Sequence, residues 1–226
     1  MNRENELLLQ ELDMIEFSEN MINKQIHKGY ASWVKEHVEL GYSPYFMSFM
    51  FRSLGGKTST RIETMNGNIE RVYSRMVTRF SRRPNAPSER EKLPLMIVSA
   101  DLPVPKHIRD PLSVVAPNGG LHSHAMFMVP PVSRFEGRFD LWVLENHAEL
   151  ISDTHLQRIW TEKVTTRPGY VTKYAIKAAG HRLPLDSMLI LPRERKARFN
   201  PTDRGYDEAC RTVGGSTMWK SARKAY

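Results

Sequence analysis

The stretch Gly119-Gly120-Leu121-His122-Ser123-His124-Ala125-Met126-Phe127-Met128-Val129, closed by Pro130-Pro131, constrains the fold more than any other part of the chain. Its apolar residues read as a strand that the two prolines stop. In a strand every second side chain faces the same way. His122 and His124 therefore project from one face, about 6.6 Å apart along the chain at a rise of roughly 3.3 Å per residue. Two imidazoles so placed can share one divalent ion.

The segments around this strand alternate between two periodicities. Over 4–40, Leu7, Leu8, Leu12, Ile15, Ile22 and Ile26 recur at helical spacing, with a break expected near Gly29. The aromatic-rich run 44–51 reads as a buried strand. A helix is expected over 59–81, with Ile62, Met65, Ile69, Val72, Met76 and Phe80 on one face and Pro84 to Pro87 ending it. Strands follow at 93–100 and 121–129, then a helix at 142–151 and a short strand at 158–164. Pro168 suits the first turn of a helix running to Ala179, with Gly180 at its end. A last strand is expected at 187–191. The pattern predicts an α+β fold with a central, mainly antiparallel sheet flanked by helices. It divides the chain into an acidic N-terminal helical extension (1–42), a core domain (43–191) and a basic C-terminal tail (192–226).

The net charge of +8 makes a polyanionic partner plausible. It is unevenly spread. Residues 1–50 carry 4 Lys and Arg against 8 Asp and Glu, and the remainder carries 29 against 17. Cys210 is the sole cysteine, which excludes an intramolecular disulfide and a multi-cysteine zinc site and fits a reducing compartment. The first residues, MNRENELLLQELDMIE, carry acids where a secretory signal needs an apolar run. No stretch approaches the roughly 20 apolar residues that span a bilayer. A cytoplasmic protein with no membrane partner is expected.

Several metal families use a His-x-His doublet, and the residues here exclude most. Ala125-Met126-Phe127-Met128 cannot supply the Asp-His of a metallo-β-lactamase-type site or the glutamate of a cupin-type site. A phosphoesterase with two His-x-Thr/Ser copies is excluded because the motif occurs once. What remains is metal-assisted cleavage by a tyrosine. On a helix Tyr170, Tyr174 and Lys177 lie near one face, while Val171, Ala175 and Ala178 form an opposite apolar face. A phenol, with an ordinary pKa of about 10, is a poor nucleophile at neutral pH. A nearby lysine and a metal-bound phosphate oxygen favour the phenolate and stabilise charge on the transferring phosphoryl group.

Three segments taken in order resemble the motifs of the HUH endonucleases, especially rolling-circle replication initiators of plasmid or filamentous-phage type. They are the strand Tyr45 to Phe51, then Gly120-Leu121-His122-Ser123-His124-Ala125, then Val171-Thr172-Lys173-Tyr174-Ala175-Ile176-Lys177. In that family the residue between the histidines is usually hydrophobic; here it is Ser123. The resemblance covers residues 44–191 and implies a catalytic domain over 43–191, built on an RRM-like or ferredoxin-like palm. It implies that His122 and His124 bind Mg²⁺ or Mn²⁺, that Tyr174 is the nucleophile and that Lys177 assists. Such an enzyme nicks single-stranded or origin DNA, forms a 5′-phosphotyrosine and frees a 3′-OH for priming. Host helicase and polymerase are the implied partners, because no ATP-driven helicase module fits in the remaining length. Tyr170 is either a second nucleophile one turn away or an aromatic at the helix start. Asp101, Asp110 and His181 are open as a third metal ligand.

Arg71, Arg75, Arg79, Arg82, Arg83 and Lys173 are candidates for nucleic-acid contacts, as are Arg193, Arg195, Lys196 and Arg198 in the tail. Gly56-Lys57-Thr58 is not a phosphate-binding loop, since position 51 is Phe where that motif needs Gly. Two rival readings stand beside the nuclease. One is a non-catalytic nucleic-acid-binding protein that keeps the same fold. The other is a metal hydrolase acting on small phosphoesters.

Overall fold

The central strand of the fold is buried on both sides, which is why its run Ala125–Val129 is continuously apolar rather than alternating. The computed structural model describes residues 3–103 and 116–193, with side chains from residue 20 onward. In chain order these form α1 (Arg3–Glu39), β1 (Ser43–Phe51), α2 (Thr58–Phe80), β2 (Leu95–Asp101), β3 (His122–Val129), α3 (Phe139–Glu145), α4 (His147–Ile151), β4 (Leu156–Lys163), α5 (Pro168–Ala175) and β5 (Leu189–Leu191). Short 3-10 turns at Pro87–Lys92, Pro117–Gly120 and Leu185–Ser187 link them. The five strands make one sheet in the order β4-β1-β3-β2-β5, and all four pairings are antiparallel. The fold is thus α+β, with an antiparallel sheet flanked by helices.

The strand period of two sorts the side chains between two layers. Tyr45, Met47 and Phe49 of β1, Ala125 and Phe127 of β3 and Met96 and Val98 of β2 face α2 and α3. There they meet Ile62, Met65, Ile69, Val72, Met76 and Phe80, the face expected of that helix. Phe127 stacks on Phe139 with ring centroids 4.3 Å apart. The other layer holds Ile97, Met126 and Met128 beneath Val34 of α1 and Ala175 and Ile176 of the α5 region. Each large apolar side chain fully buried in these layers contributes about 1.5–3 kcal/mol.

Several element boundaries differ from the sequence expectation. Helix α1 runs unbroken through Gly29. Its inner face is not the expected apolar line, since Ile22 is exposed while Asn23, Ala31 and Val34 are buried. Contact with the turn after α5 sets this face: Asn23 Nδ2 donates to the Gly180 carbonyl, and His27 Nε2 lies 2.9 Å from the Ala179 carbonyl oxygen. The helix expected at 142–151 is two short helices hinged at Asn146, whose φ of −100° and ψ of 14° leave the helical region. Helix α5 stops at Ala175 rather than Ala179. Beyond it the chain curls back on itself, with the Leu183 and Arg182 amides on the Ala178 carbonyl and Gly180 at φ +75°. Among the described residues no helix is long and apolar enough to cross a membrane.

Ser123, between the two histidines, belongs to the layer facing α2. It lies opposite Phe49 and Ala100, is fully buried, and its hydroxyl has no hydrogen-bond partner. A buried hydroxyl without a partner carries a desolvation cost. Replacing Ser123 by Ala is therefore expected to stabilise the fold by about 1 kcal/mol in urea unfolding, with metal binding unchanged. A loss of stability would show that this hydroxyl is satisfied.

Candidate metal centre

Strand register, not sequence proximity, assembles the site. In the β2–β3 pairing Asp101 lies opposite His122 and Ser99 opposite His124. In the β1–β3 pairing Ser48 lies opposite His124. The two imidazoles, the carboxylate and the hydroxyl all project toward the α1 and α5 side of the sheet. The Nε2 atoms of His122 and His124 are 3.0 Å apart. Asp101 Oδ2 is 3.8 Å from His122 Nε2 and 3.5 Å from His124 Nε2. Of the three open candidates for a third ligand, Asp101 is the one the fold brings to the pair. His181 instead meets His27, with ring centroids 5.4 Å apart. Asp110 lies outside the described residues.

Each imidazole is oriented through its second nitrogen. His122 Nδ1 donates to the Gly120 carbonyl at 2.8 Å, which leaves its Nε2 lone pair facing the pocket. The turn before β3 fixes that carbonyl. Gly120 has φ +79°, and a Cβ there would come within 2.6 Å of Pro103 Cγ, so only glycine fits. Asn118 Oδ1 ties the same turn to the Leu54 amide at 2.7 Å. His124 Nδ1 is 3.0 Å from Ser48 Oγ, a buried contact.

Asp101 is 1% exposed, and its Oδ1 has no hydrogen-bond partner. Burial alone pushes its carboxyl upward. Hydrogen bonds from His124 and Lys177, with the charges of Lys177 and His122, outweigh burial and hold its pKa at about 2. Burial is also the main reason that His122 lies below its usual pKa, and the charges of His124 and Lys177 add to this against the pull of Gly120 and Asp101. Both shifts favour the forms that bind cations: an ionised carboxylate and a neutral imidazole.

These residues fit a divalent metal ion. Two nitrogens bound to one ion at about 2.1 Å, at angles between square and tetrahedral, lie roughly 3.0 to 3.4 Å apart, and the histidine pair falls at the short end of that range. The ligand atoms of Asp101, His122 and His124 lie within 4.8 Å of one another. The orphaned Oδ1 of Asp101 is a buried acceptor in want of a cation or donor.

Tyr174 and Lys177 adjoin this group. The Tyr174 ring centre is 5.7 Å from that of His124 and 6.0 Å from that of Phe46. Lys177 Nζ bonds Asp101 Oδ2 at 2.9 Å and lies 4.1 Å from the centre of the Tyr174 ring. Burial disfavours the ammonium, but Asp101, with Tyr174 beside it, outweighs this and raises its pKa above the usual lysine value. Because α5 ends at Ala175, Lys177 reaches the site from the turn beyond the helix rather than from a helical i+7 position.

The remaining candidates fall elsewhere. Tyr170 is 70% exposed and lines, with Tyr174, Phe46 and Glu162, a groove of about 410 Å³ beside the centre. The ring contacts that join Tyr174 to His124 do not extend to it. Lys173 is exposed on α5. Arg71, Arg75 and Arg79 lie on α2, across the sheet from the histidines. Arg71 donates to the Asp153 carbonyl, Arg75 donates to the carbonyls of Glu149, Leu150 and Ser152, and the Arg79 guanidinium lies 5.8 Å from the Trp142 ring centre. These three fasten α2 to α3, to α4 and to the turn that follows α4. Arg82 and Arg83 follow α2 and are exposed. Arg195, Lys196 and Arg198 lie outside the described residues. Ser48, Phe46 and Gly120 carry the site without having been singled out in the sequence. The only signal was Ser48, a lone hydroxyl within the apolar run 44–51.

No family model matches the chain, and neither a curated protein nor a solved structure matches it.

Calorimetric titration with Mn²⁺ checks the ligand set. Ser48→Ala, which removes an orienting partner but no ligand, should weaken binding by about 10- to 100-fold. Asp101→Asn should weaken it further. The pH dependence has a definite sign. Protons compete with the ion for His122, and its depressed pKa keeps it neutral below the usual imidazole midpoint. Proton competition at His122 should therefore set in at a lower pH than for an ordinary imidazole, and affinity should fall as the pH drops through that range. Affinity that falls steadily from pH 8 would contradict this assignment.

Proposed function

We propose that this protein is a replication-initiator-like endonuclease that nicks single-stranded DNA through Tyr174. The observation that carries the reading is the position of one ammonium. Lys177 Nζ touches both Asp101 of the metal-binding group and the face of Tyr174, at 2.9 Å from Oδ2 and 4.1 Å from the ring centre. A phenol, a cation and a His-His-Asp group, distant in the chain, thus share one site. The resemblance of the three sequence segments to HUH endonuclease motifs supports the same chemistry.

In this reading Tyr174 Oη forms a bond to phosphorus as the bond from phosphorus to the 3′ oxygen breaks. The phenolic proton leaves to solvent and the departing 3′ oxygen takes one up. The products are a 5′-phosphotyrosine and a free 3′-OH. His122, His124 and Asp101 would hold a divalent ion, which would supply Lewis-acid polarisation of a phosphoryl oxygen. Lys177 offsets charge growing on the phosphoryl group. His124 and Phe46 fix the plane of the Tyr174 ring. Of Mg²⁺ and Mn²⁺, two imidazole ligands favour Mn²⁺, because Mg²⁺ prefers oxygen donors. The wider role that follows is initiation of rolling-circle replication in the cytoplasm, with a host helicase and polymerase completing the task.

Incubation with a random pool of single-stranded oligonucleotides and Mn²⁺ tests the reading. A covalent adduct is expected, mapped to Tyr174 by mass spectrometry and lost in Tyr174→Phe and His122→Ala. Binding without any adduct would sink the nuclease and leave a non-catalytic nucleic-acid-binding protein. Phosphoester turnover that survives Tyr174→Phe but not His122→Ala would replace it with a metal hydrolase.

A further inference from the structure

The sheet face that carries the centre continues past it, uncovered, to the edge strand β4. Register sets the row: Trp160 pairs with Ser48, Ser48 with His124, and His124 with Ser99. Trp160 therefore lies on the histidine face, two strands from His124, roughly 10 Å away at about 4.8 Å per strand. Its ring is 50% exposed although tryptophan is rarely left so open. The next residue on that face, Arg158, holds its guanidinium 5.1 Å from the ring centre. Its cross-strand neighbour Met50 is 43% exposed. Arg158 makes no ion pair among the described residues. Glu162 shares the face on the groove side, next to Phe46.

We infer that Trp160 and Arg158 form a base-stacking platform for single-stranded DNA, which holds a nucleotide flanking the bond presented to the metal centre. An indole with a stacked guanidinium offers a flat apolar surface and a positive charge, the two things an unpaired nucleotide needs. A duplex hides its base faces and cannot use the ring in this way. The chain's net charge of +8 agrees with a polyanionic occupant. The platform rests on the nuclease reading for the identity of the bond but not for binding itself. Stacking needs neither metal nor nucleophile.

The test is fluorescence anisotropy of a labelled oligo(dT) with the full chain in EDTA. Trp160→Ala should bind at least about tenfold more weakly, the loss expected for one stacked base. Trp160→Phe should retain most of the affinity. Arg158→Gln should reduce the slope of log affinity against log salt by about 1. Calorimetric Mn²⁺ affinity should be unchanged in all three, which shows an intact centre. Wild-type oligonucleotide affinity in Trp160→Ala overturns the platform, as does equally tight, Trp160-independent binding of a blunt duplex. The two readings fail separately. Trp160-dependent binding without a Tyr174 adduct keeps the platform and removes the nickase, whereas an adduct formed with Trp160-independent affinity does the reverse.

Discussion

The pairing register of β1, β3 and β2 is the constraint on which the site depends. Asp101, His122, His124 and Ser48 come from three strands and meet only because each pairing is in one particular alignment. A slip of one residue would turn the histidines into the layer beneath α2 and bring Ser123 to the other face. That slip is opposed by the apolar side chains on both faces. It would place Phe127 where Met126 sits and break the Phe127–Phe139 stack. The hydrophobic cores thus act on chemistry indirectly, by fixing which residues share a row.

Inside the site, charge is arranged to be stable before any ion arrives. Asp101 is almost wholly buried, and an isolated carboxylate there would be costly. Lys177 meets it directly, and the two imidazoles complete its surroundings. This explains how a fold can keep an ionised acid at the foot of a sheet without unfolding or protonating it. It also links the far end of the domain to the centre, because Lys177 sits in the turn that holds α1 through Asn23 and His27.

Much of the architecture was legible in residue patterns. The proline-bounded run 121–129 and the apolar line of α2 were readable because each has a strict period and a clear stop. The ends of α5 and the hinge at Asn146 were not, since they arise from tertiary hydrogen bonds and a single backbone twist. The exposed Ile22 shows the same limit: helical spacing cannot say which side a neighbour will cover. In the site, the histidine pair was visible because two ligands sit on one strand. Asp101 could only be one of three options, because its place depends on a pairing across 21 residues. Ser48 was silent, a common residue given meaning by its partner. The α2 arginines formed a line suited to phosphate, yet three of them bind backbone carbonyls instead or lie against an indole. Spacing reveals a face and not its neighbour.

The Ser48 hydroxyl has one further consequence. A serine O–H can donate or accept by rotating a single torsion. With no ion present, one Nε2–H must donate a hydrogen bond to the other Nε2, and His124 can be that donor while its Nδ1 accepts from Ser48. Once both Nε2 atoms are committed to a cation, the proton on His124 must sit on Nδ1, and the same oxygen can receive it. The ring can thus exchange tautomers without moving, so that filling and emptying the centre need shift only a hydrogen and leave the strands in place.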